Sequence, residues 1–525
     1  LKEMVMRVLA CDGIHEDGLA LFRAAGWDVE VSEPIKDAKV LADKLAGFDA
    51  VLVRSATQVT ADSLAQAGGL KVIGRAGAGV DTIDVEAATA RGIAVMNAPD
   101  GNTLAAAEHA ISLLFALARH VPRADAGMKA GEWPKAGLTG FELEGKKLGV
   151  IGLGRIGATV ARKAQGIGME VAAYDPFLPA SAAGKGSVAL KPLDELLAWA
   201  DVITLHIPRT KETTHLLDEA RLRTMKKGAF LINAARGGLV DEDALLTLLE
   251  EGHLAGAALD TFATEPLPRD SALRGNAKLI LTPHLGASTG EAQQAVSTIL
   301  ARQIIDFVAT GAVAGCVNLP PLTPETAREV GPWMPLMTAL GKLAARLVPA
   351  PTKLQITYAG RTDGLDTRPL TRLLVASLLG PASGRVTPVN ALNEAALRGL
   401  EVSETLGGDG DGFDRLLRIR VQGAAGVREI EATLHRGPRV VRLDGVELDF
   451  DPLAHILLMR NEDRPGVIGL VGSHLGAAGV NIVNFSLGAT GDGGAVAAIT
   501  VDREVADAQL QALRGIPGIV AMEQV

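Results

Sequence analysis

The chain has 525 residues, 48% of them hydrophobic and 22% charged, with a formal net charge of −9. That length exceeds one hydrophobic core and calls for about three or four folded units of roughly 100–200 residues each. The acidic balance, without any Lys/Arg run that could track a phosphate backbone, argues against a nucleic-acid partner, and 60 glycines against 3% aromatics suit a glycine-rich α/β protein rather than a disordered one.

Two cysteines, Cys11 and Cys316, are too few for a disulfide framework or a zinc cluster. The expectation is two buried thiols in a reducing cytoplasm and no metal. The N-terminal residues lack a signal-peptide pattern, and the longest apolar run, residues 110–118 with interruptions, falls short of the roughly 20 residues a bilayer requires. A cytoplasmic protein without a membrane partner is expected.

From Arg7 to about Gly92, apolar runs such as residues 50–53 and 71–74 alternate with helical stretches such as residues 62–67, which predicts a parallel sheet. Residues 104–118, rich in Ala and Leu without proline, predict a long buried helix. A second strand-helix series begins at Leu148. There Leu148-Gly149-Val150-Ile151 runs directly into Gly152-Leu153-Gly154-Arg155-Ile156-Gly157, followed by the helical spacing Ile156, Val160, Ala164, Ile167.

A G-x-G-x-x-G between a strand and a helix is a dinucleotide fingerprint. Gly152 and Gly154 let the backbone turn tightly and approach a pyrophosphate at the helix N-terminus, and Gly157 lets helix and strand pack closely. The next predicted strand, residues 169–174, ends in Asp175, a carboxylate placed for the adenosine ribose hydroxyls. Pro176 and Phe177 offer no cation for a 2′-phosphate, which favours NAD over NADP.

Three later motifs each put a charged or titratable residue just after an apolar strand. They are Ile232-Asn233-Ala234-Ala235-Arg236, Leu259-Asp260-Thr261-Phe262-Ala263-Thr264-Glu265 and Thr282-Pro283-His284-Leu285-Gly286. Strand ends on one edge of a parallel sheet converge, so Arg236, Glu265 and His284 can meet. A cation, a carboxylate and an imidazole suit alcohol–ketone interconversion, with His284 as base, Arg236 as carboxylate clamp and Glu265 as orienter of the imidazole.

At residues 317–324 three prolines forbid a regular helix and mark a linker. A helix over about residues 325–347 follows, then mixed strand and helix signals, with Gly407-Gly408-Asp409-Gly410-Asp411-Gly412 suiting a loop between strands. Residues 455–525 read strand, helix, strand, strand, helix, strand, the ferredoxin-like order.

The fingerprint and the three strand-end motifs resemble the D-isomer-specific 2-hydroxyacid dehydrogenase family over about residues 7–318. The resemblance implies that Arg236, Glu265 and His284 are catalytic. It also implies cofactor contacts at Arg155, Ile156, Asp175, Ile207, Ala234, Ala235, Arg236, Asp260, His284 and Gly286. Val53-Arg54-Ser55-Ala56-Thr57 and Gly74-Arg75-Ala76-Gly77-Ala78-Gly79-Val80-Asp81 are similar to the substrate-lobe loops of the phosphoglycerate dehydrogenases, with Arg54, Arg75 and Asn102 as expected substrate contacts. Ala78 departs from the pattern, since many relatives carry a hydroxyl residue there.

Leu458-Met459-Arg460-Asn461-Glu462-Asp463-Arg464-Pro465-Gly466-Val467-Ile468 and Gly479-Val480-Asn481-Ile482 resemble an ACT domain, with Asn461, Asp463 and Asn481 as the implied amino-acid contacts. The implied fold is α/β: a Rossmann NAD-binding domain (99–285) inserted in a flavodoxin-like substrate-binding domain (1–98 and 286–318), then an α+β intervening domain (319–450) and a ferredoxin-like ACT domain (453–525). The implied partners are NAD, 3-phosphoglycerate, L-serine as effector, and further copies of the chain in a dimer or tetramer. Two other readings stay open: a glyoxylate or hydroxypyruvate reductase of the same superfamily, and an NAD-sensing interaction protein.

Overall fold

A computed structural model describes residues 5–178, 188–310, 315–320, 322, 324–362, 364–382, 385–424, 426–491 and 493–525. The backbone builds four sheets, and the first two are wholly parallel. The first contains β1 (Arg7–Ala10), β2 (Asp28–Val31), β3 (Ala50–Val53), β4 (Val72–Arg75) and β5 (Ala94–Asn97) in the order β2-β1-β3-β4-β5. β3 is buried along its whole length, because helices cover both faces of a parallel sheet.

The second sheet holds β6 (Lys147–Ile151), β7 (Glu170–Tyr174), β8 (Ala189–Leu190), β9 (Val202–Leu205), β10 (Ala229–Asn233), β11 (Leu254–Leu259) and β12 (Leu279–Leu281). Its order β12-β11-β10-β9-β6-β7-β8 reverses direction between β6 and β9, which opens a crevice at the carboxyl ends of those strands. The chain enters this sheet through the helix Thr103–Arg119, whose buried face is Ala106, Ala107, Ala110, Leu113, Leu114 and Leu117. Among the described residues no single helix is long and apolar enough to cross a membrane.

After β12 the helix Gly290–Thr310 returns to the first sheet and lies on the helix Glu16–Ala24. The approach is so close that a Cβ at Gly18 would stand 2.7 Å from the Ser297 carbonyl oxygen. Val317 N–H then donates to Val95 O at 2.7 Å, and the Asn318 side chain bonds both Val95 N–H and Ile93 O. The start of the proline-rich segment is therefore docked against β5 rather than loose, with Leu319 buried; Pro321 and Thr323 of that segment lie outside the described residues.

Two expected helices differ in the structure. Residues 62–67 form successive turns, because Gly68 and Gly69 follow immediately and leave too few residues for a stable helix. The helix expected over residues 325–347 is divided into Pro324–Val330 and Met334–Leu347 by a tighter turn at Gly331–Trp333, where Pro332 lacks a backbone donor.

The third sheet consists of β13 (Pro351–Gly360), β14 (Glu401–Leu406), β15 (Arg415–Gly423), β16 (Gly426–Leu434), β17 (Pro438–Leu443) and β18 (Val446–Phe450), in the order β14-β13-β15-β16-β17-β18. The fourth has β19 (His455–Glu462), β20 (Ile482–Ala489), β21 (Gly494–Val501) and β22 (Ile519–Gln524), antiparallel throughout in the order β20-β21-β19-β22. With the helices Val467–Ala477 and Asp507–Arg514 this is the ferredoxin-like arrangement. Cys11 and Cys316 are free, and burial pushes each thiol up to about 11, which keeps both protonated at neutral pH.

Candidate active site

A cleft of about 970 Å³ opens between the first two sheets, and most of the residues singled out from sequence line it. Arg54, Arg75 and Asn102 face it from one side; Ile156, Ala234, Ala235, Arg236, Glu265, His284 and Gly286 face it from the other.

Each catalytic candidate is held by the loop behind its strand. The Asn233 side chain, ending β10, accepts from Ala235 N–H at 3.2 Å and donates to Arg236 O at 2.8 Å, which fixes the turn that presents Arg236. Arg236 Nε donates to Asp81 Oδ2 at 2.9 Å across the cleft, joining the two lobes. A Cβ at Gly77 would collide with the Arg75 guanidinium and one at Gly79 with that of Arg236, so those glycines leave room for the two cations.

His284 follows β12 with φ +55, a left-handed conformation that few non-glycine residues adopt. Its N–H donates to Asp260 O at 2.9 Å. Its Nδ1 lies 2.7 Å from Glu265 Oε2, while Glu265 Oε1 accepts from Phe262 N–H at 3.0 Å. Burial would raise the Glu265 carboxyl, but the hydrogen bond and charge of His284 outweigh it and hold the group below its ordinary range. With Nδ1 engaged by the acid, Nε2 is the ring nitrogen free to exchange a proton in the cleft.

Asp260, expected among the cofactor contacts, is fully buried behind this loop. Its carboxylate accepts from Thr282 Oγ1 at 2.6 Å, Leu285 N–H at 2.8 Å and Gly286 N–H at 3.0 Å, and pairs with His109 Nε2 at 3.1 Å. Burial pushes that carboxyl up, yet the bonds from His109 and Thr282 bring it below the usual range. Four donors gather on its oxygens, which makes Asp260 a brace for the His284 loop.

The cationic end of the cleft is equally specific. Asp12 accepts from the N–H groups of Arg54, Ala56 and Thr57 and from the Thr57 hydroxyl, shaping the loop that carries Arg54. Arg75 Nε bonds Arg54 O at 3.3 Å. Arg54, Arg75 and Arg236 all line this cleft, and burial and then the neighbouring Arg236 press the Arg75 guanidinium down to about 10, which leaves Arg75 charged at neutral pH. The Asn102 Oδ1 is buried without a protein partner, at the entry to the helix Thr103–Arg119.

The dinucleotide cradle fits its expected occupant. Gly152 has φ +90, and a Cβ there would stand 2.5 Å from Ile207 Cγ2 and 2.6 Å from His206 O. A Cβ at Gly157 would overlap Gly152 O, whereas Gly154 faces open space as the N-cap of the helix Arg155–Gly166, with no side chain capping its N–H groups. Asp175 Oδ2 accepts from Leu153 N–H at 2.9 Å and Oδ1 from Phe177 N–H at 3.0 Å, placing the carboxylate beside the glycine turn. Arg155 reaches back to Asp100 at 2.6 Å.

Asp12, Asp81, His109 and Thr282 support this site and were not singled out from sequence. Asp81 closes and Thr282 opens a motif that was, and His109 is a polar residue on an otherwise apolar helix face. Asp12 carries no local signal. Among the described residues no group of three or more His, Cys, Asp or Glu side chains could hold a metal ion.

The NAD binding domain of the D-isomer specific 2-hydroxyacid dehydrogenases matches residues 111–286, the D-3-phosphoglycerate dehydrogenase intervening domain matches 329–444 and the ACT domain matches 455–518. The D-3-phosphoglycerate dehydrogenase of Bacillus subtilis (strain 168) is 39% identical over 524 residues, covering 99% of each chain. The chain belongs to the D-3-phosphoglycerate dehydrogenase family. A D-3-phosphoglycerate dehydrogenase from Methanocaldococcus jannaschii is 37% identical over 98% of both chains. Among solved structures, a glyoxylate reductase from Paecilomyes thermophila covers 60% of this chain and 98% of its own at 29% identity and a TM-score of 0.55. The D-lactate dehydrogenase of Escherichia coli covers 59% and 100% at 28% and 0.53. The family thus extends beyond the dehydrogenase core shared with those enzymes by two further domains.

The ACT-domain residues are not brought together within one chain. Asn461 pairs with Ala495 near one end of the sheet, whereas Asn481 precedes Ile482, which pairs with Val501 at the other end, where His455 lies. At about 3.3 Å per residue the six positions from His455 to Asn461 span some 20 Å. Asn461 is buried with Oδ1 unpartnered, Asp463 is exposed, and Asn481 N–H donates to Asp502 Oδ1 at 3.0 Å.

Proposed function

We propose that this protein oxidises 3-phospho-D-glycerate to 3-phosphohydroxypyruvate with NAD, the first step of L-serine biosynthesis. The observation that carries the reading is the convergence of Arg54, Arg75 and Arg236 on the cleft that also holds the His284–Glu265 pair. A substrate with a carboxylate and a phosphate needs cations at both ends, and guanidinium forks match both groups.

The bound cofactor supplies the hydride acceptor. His284 Nε2 takes the proton of the C2 hydroxyl as the C2 hydride departs, and in the reverse direction returns it to the carbonyl oxygen. Glu265 holds the imidazole in orientation through its contact with Nδ1. Arg236 binds the carboxylate next to the reacting carbon, and Arg54 with Arg75 binds the phosphate, while Asn102 offers its unpartnered Oδ1 to a ligand hydroxyl. Asp175 takes the adenosine ribose, beside the N–H groups at the Gly154 cap.

Since one chain separates Asn461 and Asp463 from Asn481, an amino-acid effector site made of all three needs two copies. We read the ACT domain as an L-serine site formed between subunits of a cytoplasmic homo-oligomer. The deciding assay is NADH oxidation with phosphohydroxypyruvate, hydroxypyruvate and glyoxylate, each with and without L-serine. A kcat/KM for the phosphorylated acid no higher than for the other two would refute the substrate assignment.

A further inference from the structure

A second cavity, of about 730 Å³, lies on the far side of the first sheet where the third sheet's helices meet it. Its apolar walls come from both parts: Phe307 on the returning helix, Leu319 of the docked segment, and Met334 and Leu373 on the helices Met334–Leu347 and Arg368–Leu379. The junction beside it is built, not incidental. Thr387 Oγ1 donates to Gly92 O at 2.8 Å, Asn390 is buried against the same turn, and a Cβ at Gly92 would stand 2.8 Å from Thr387 Oγ1.

The polar lining is one-sided. Arg372 faces the cavity from within, Arg91 and Arg385 stand at its rim, and among the described residues no Asp or Glu lines it. Half-buried Arg372 gives Nη1 to the carbonyls of Pro388 and Val389, both at 3.3 Å, but among the described residues no carboxylate lies within ion-pair distance of it. Burial and then the like charge of Arg368 lower its guanidinium below the ordinary arginine range. A cation withdrawn from water without a counter-charge is destabilising until an anion meets it. The volume suits a small-molecule site, and its composition matches a ligand with an apolar body and one anionic head.

We propose that this cavity binds an amphipathic monocarboxylate, its head on Arg372 and its body against Phe307, Met334 and Leu373, tying the intervening domain to the substrate lobe. The site is separate from the catalytic cleft, so it is tested with that cleft filled. Octanoate is titrated by calorimetry into the full-length protein saturated with NADH and 3-phosphoglycerate, a pair of reduced ligands that cannot react, with 1-octanol as the uncharged comparator. Saturable binding of one octanoate per chain is expected, at least tenfold tighter than octanol. Arg372→Met should weaken octanoate at least tenfold and leave octanol unchanged. Leu373→Trp, which fills the apolar end, should abolish both; circular dichroism checks that each variant is folded. Equal affinity for octanol and octanoate, undiminished octanoate binding in either folded variant, or no saturable binding would overturn the proposal.

Discussion

Glu265 Oε2 stands 2.7 Å from His284 Nδ1 while its other oxygen receives the Phe262 N–H, so one carboxylate fixes both a loop and an imidazole. His284→Asn should leave NADH binding nearly intact and lower turnover by about 10²–10⁴, the usual contribution of a positioned acid–base group. Stopped-flow binding and steady-state rates separate the two, and unchanged turnover would remove His284 from the chemistry.

The same pair has a pH signature. The folded-state pKa of Glu265 lies below its unfolded value, so its contribution to stability is present above about pH 4.3 and lost as pH falls through the folded value. Glu265→Gln should therefore lower the thermal midpoint at pH 7, and the gap to the unmodified protein should close on acidification towards pH 3. A gap independent of pH would show that the charge is not what stabilises the loop.

Asp260 acts on His284 from behind. Asp260→Ala leaves His109, Thr282 and two backbone N–H groups without their acceptor, a loss of about 3 kcal/mol or more in urea unfolding. Turnover should fall together with stability, whereas His284→Asn lowers turnover alone. An Asp260→Ala protein of ordinary stability would contradict the bracing role.

For the anion site, Arg54→Met or Arg75→Met should raise KM for phosphohydroxypyruvate far more than for hydroxypyruvate, which has no phosphate to lose. Because Arg75 is pressed down to about 10, its charge is lost as pH rises through that value, and KM for the phosphorylated acid should climb between pH 9 and 11. Equal effects on both substrates would point to a structural role.

Asp175→Ser should weaken NADH and narrow its advantage over NADPH, since a carboxylate repels a 2′-phosphate. Fluorescence titration with both nucleotides measures this. A preference for NADPH in the unmodified protein would contradict the assignment.

The separation of Asn461 and Asp463 from Asn481 gives a complementation test. Asp463→Ala and Asn481→Ala homo-oligomers should each resist serine, while mixed oligomers of the two should regain part of the inhibition, because one interface then carries an intact site. Mixed oligomers as resistant as either parent would exclude a shared site.

The sequence by itself determined the elements whose chemistry is local. A strand run ending in Gly152-Leu153-Gly154 needs only neighbouring residues to turn and to free helix N–H groups, and the apolar runs at residues 50–53 and 71–74 reflect burial on both faces of the inner strands β3 and β4. Arg236, Glu265 and His284 were legible for the same reason: each lies in the loop that follows a strand of a parallel sheet, and those strand ends share an edge. Only the tertiary structure decided what depends on the third dimension. Asp81 meets Arg236 across the lobes, Asp12 shapes the Arg54 loop from 42 residues away, and buried Asp260 braces the His284 loop from behind. Sequence spacing carries no sign of which side of a loop a carboxylate occupies. Nor could it show that the ACT residues lie at opposite ends of a sheet, because antiparallel register, not proximity in the motif, sets that distance.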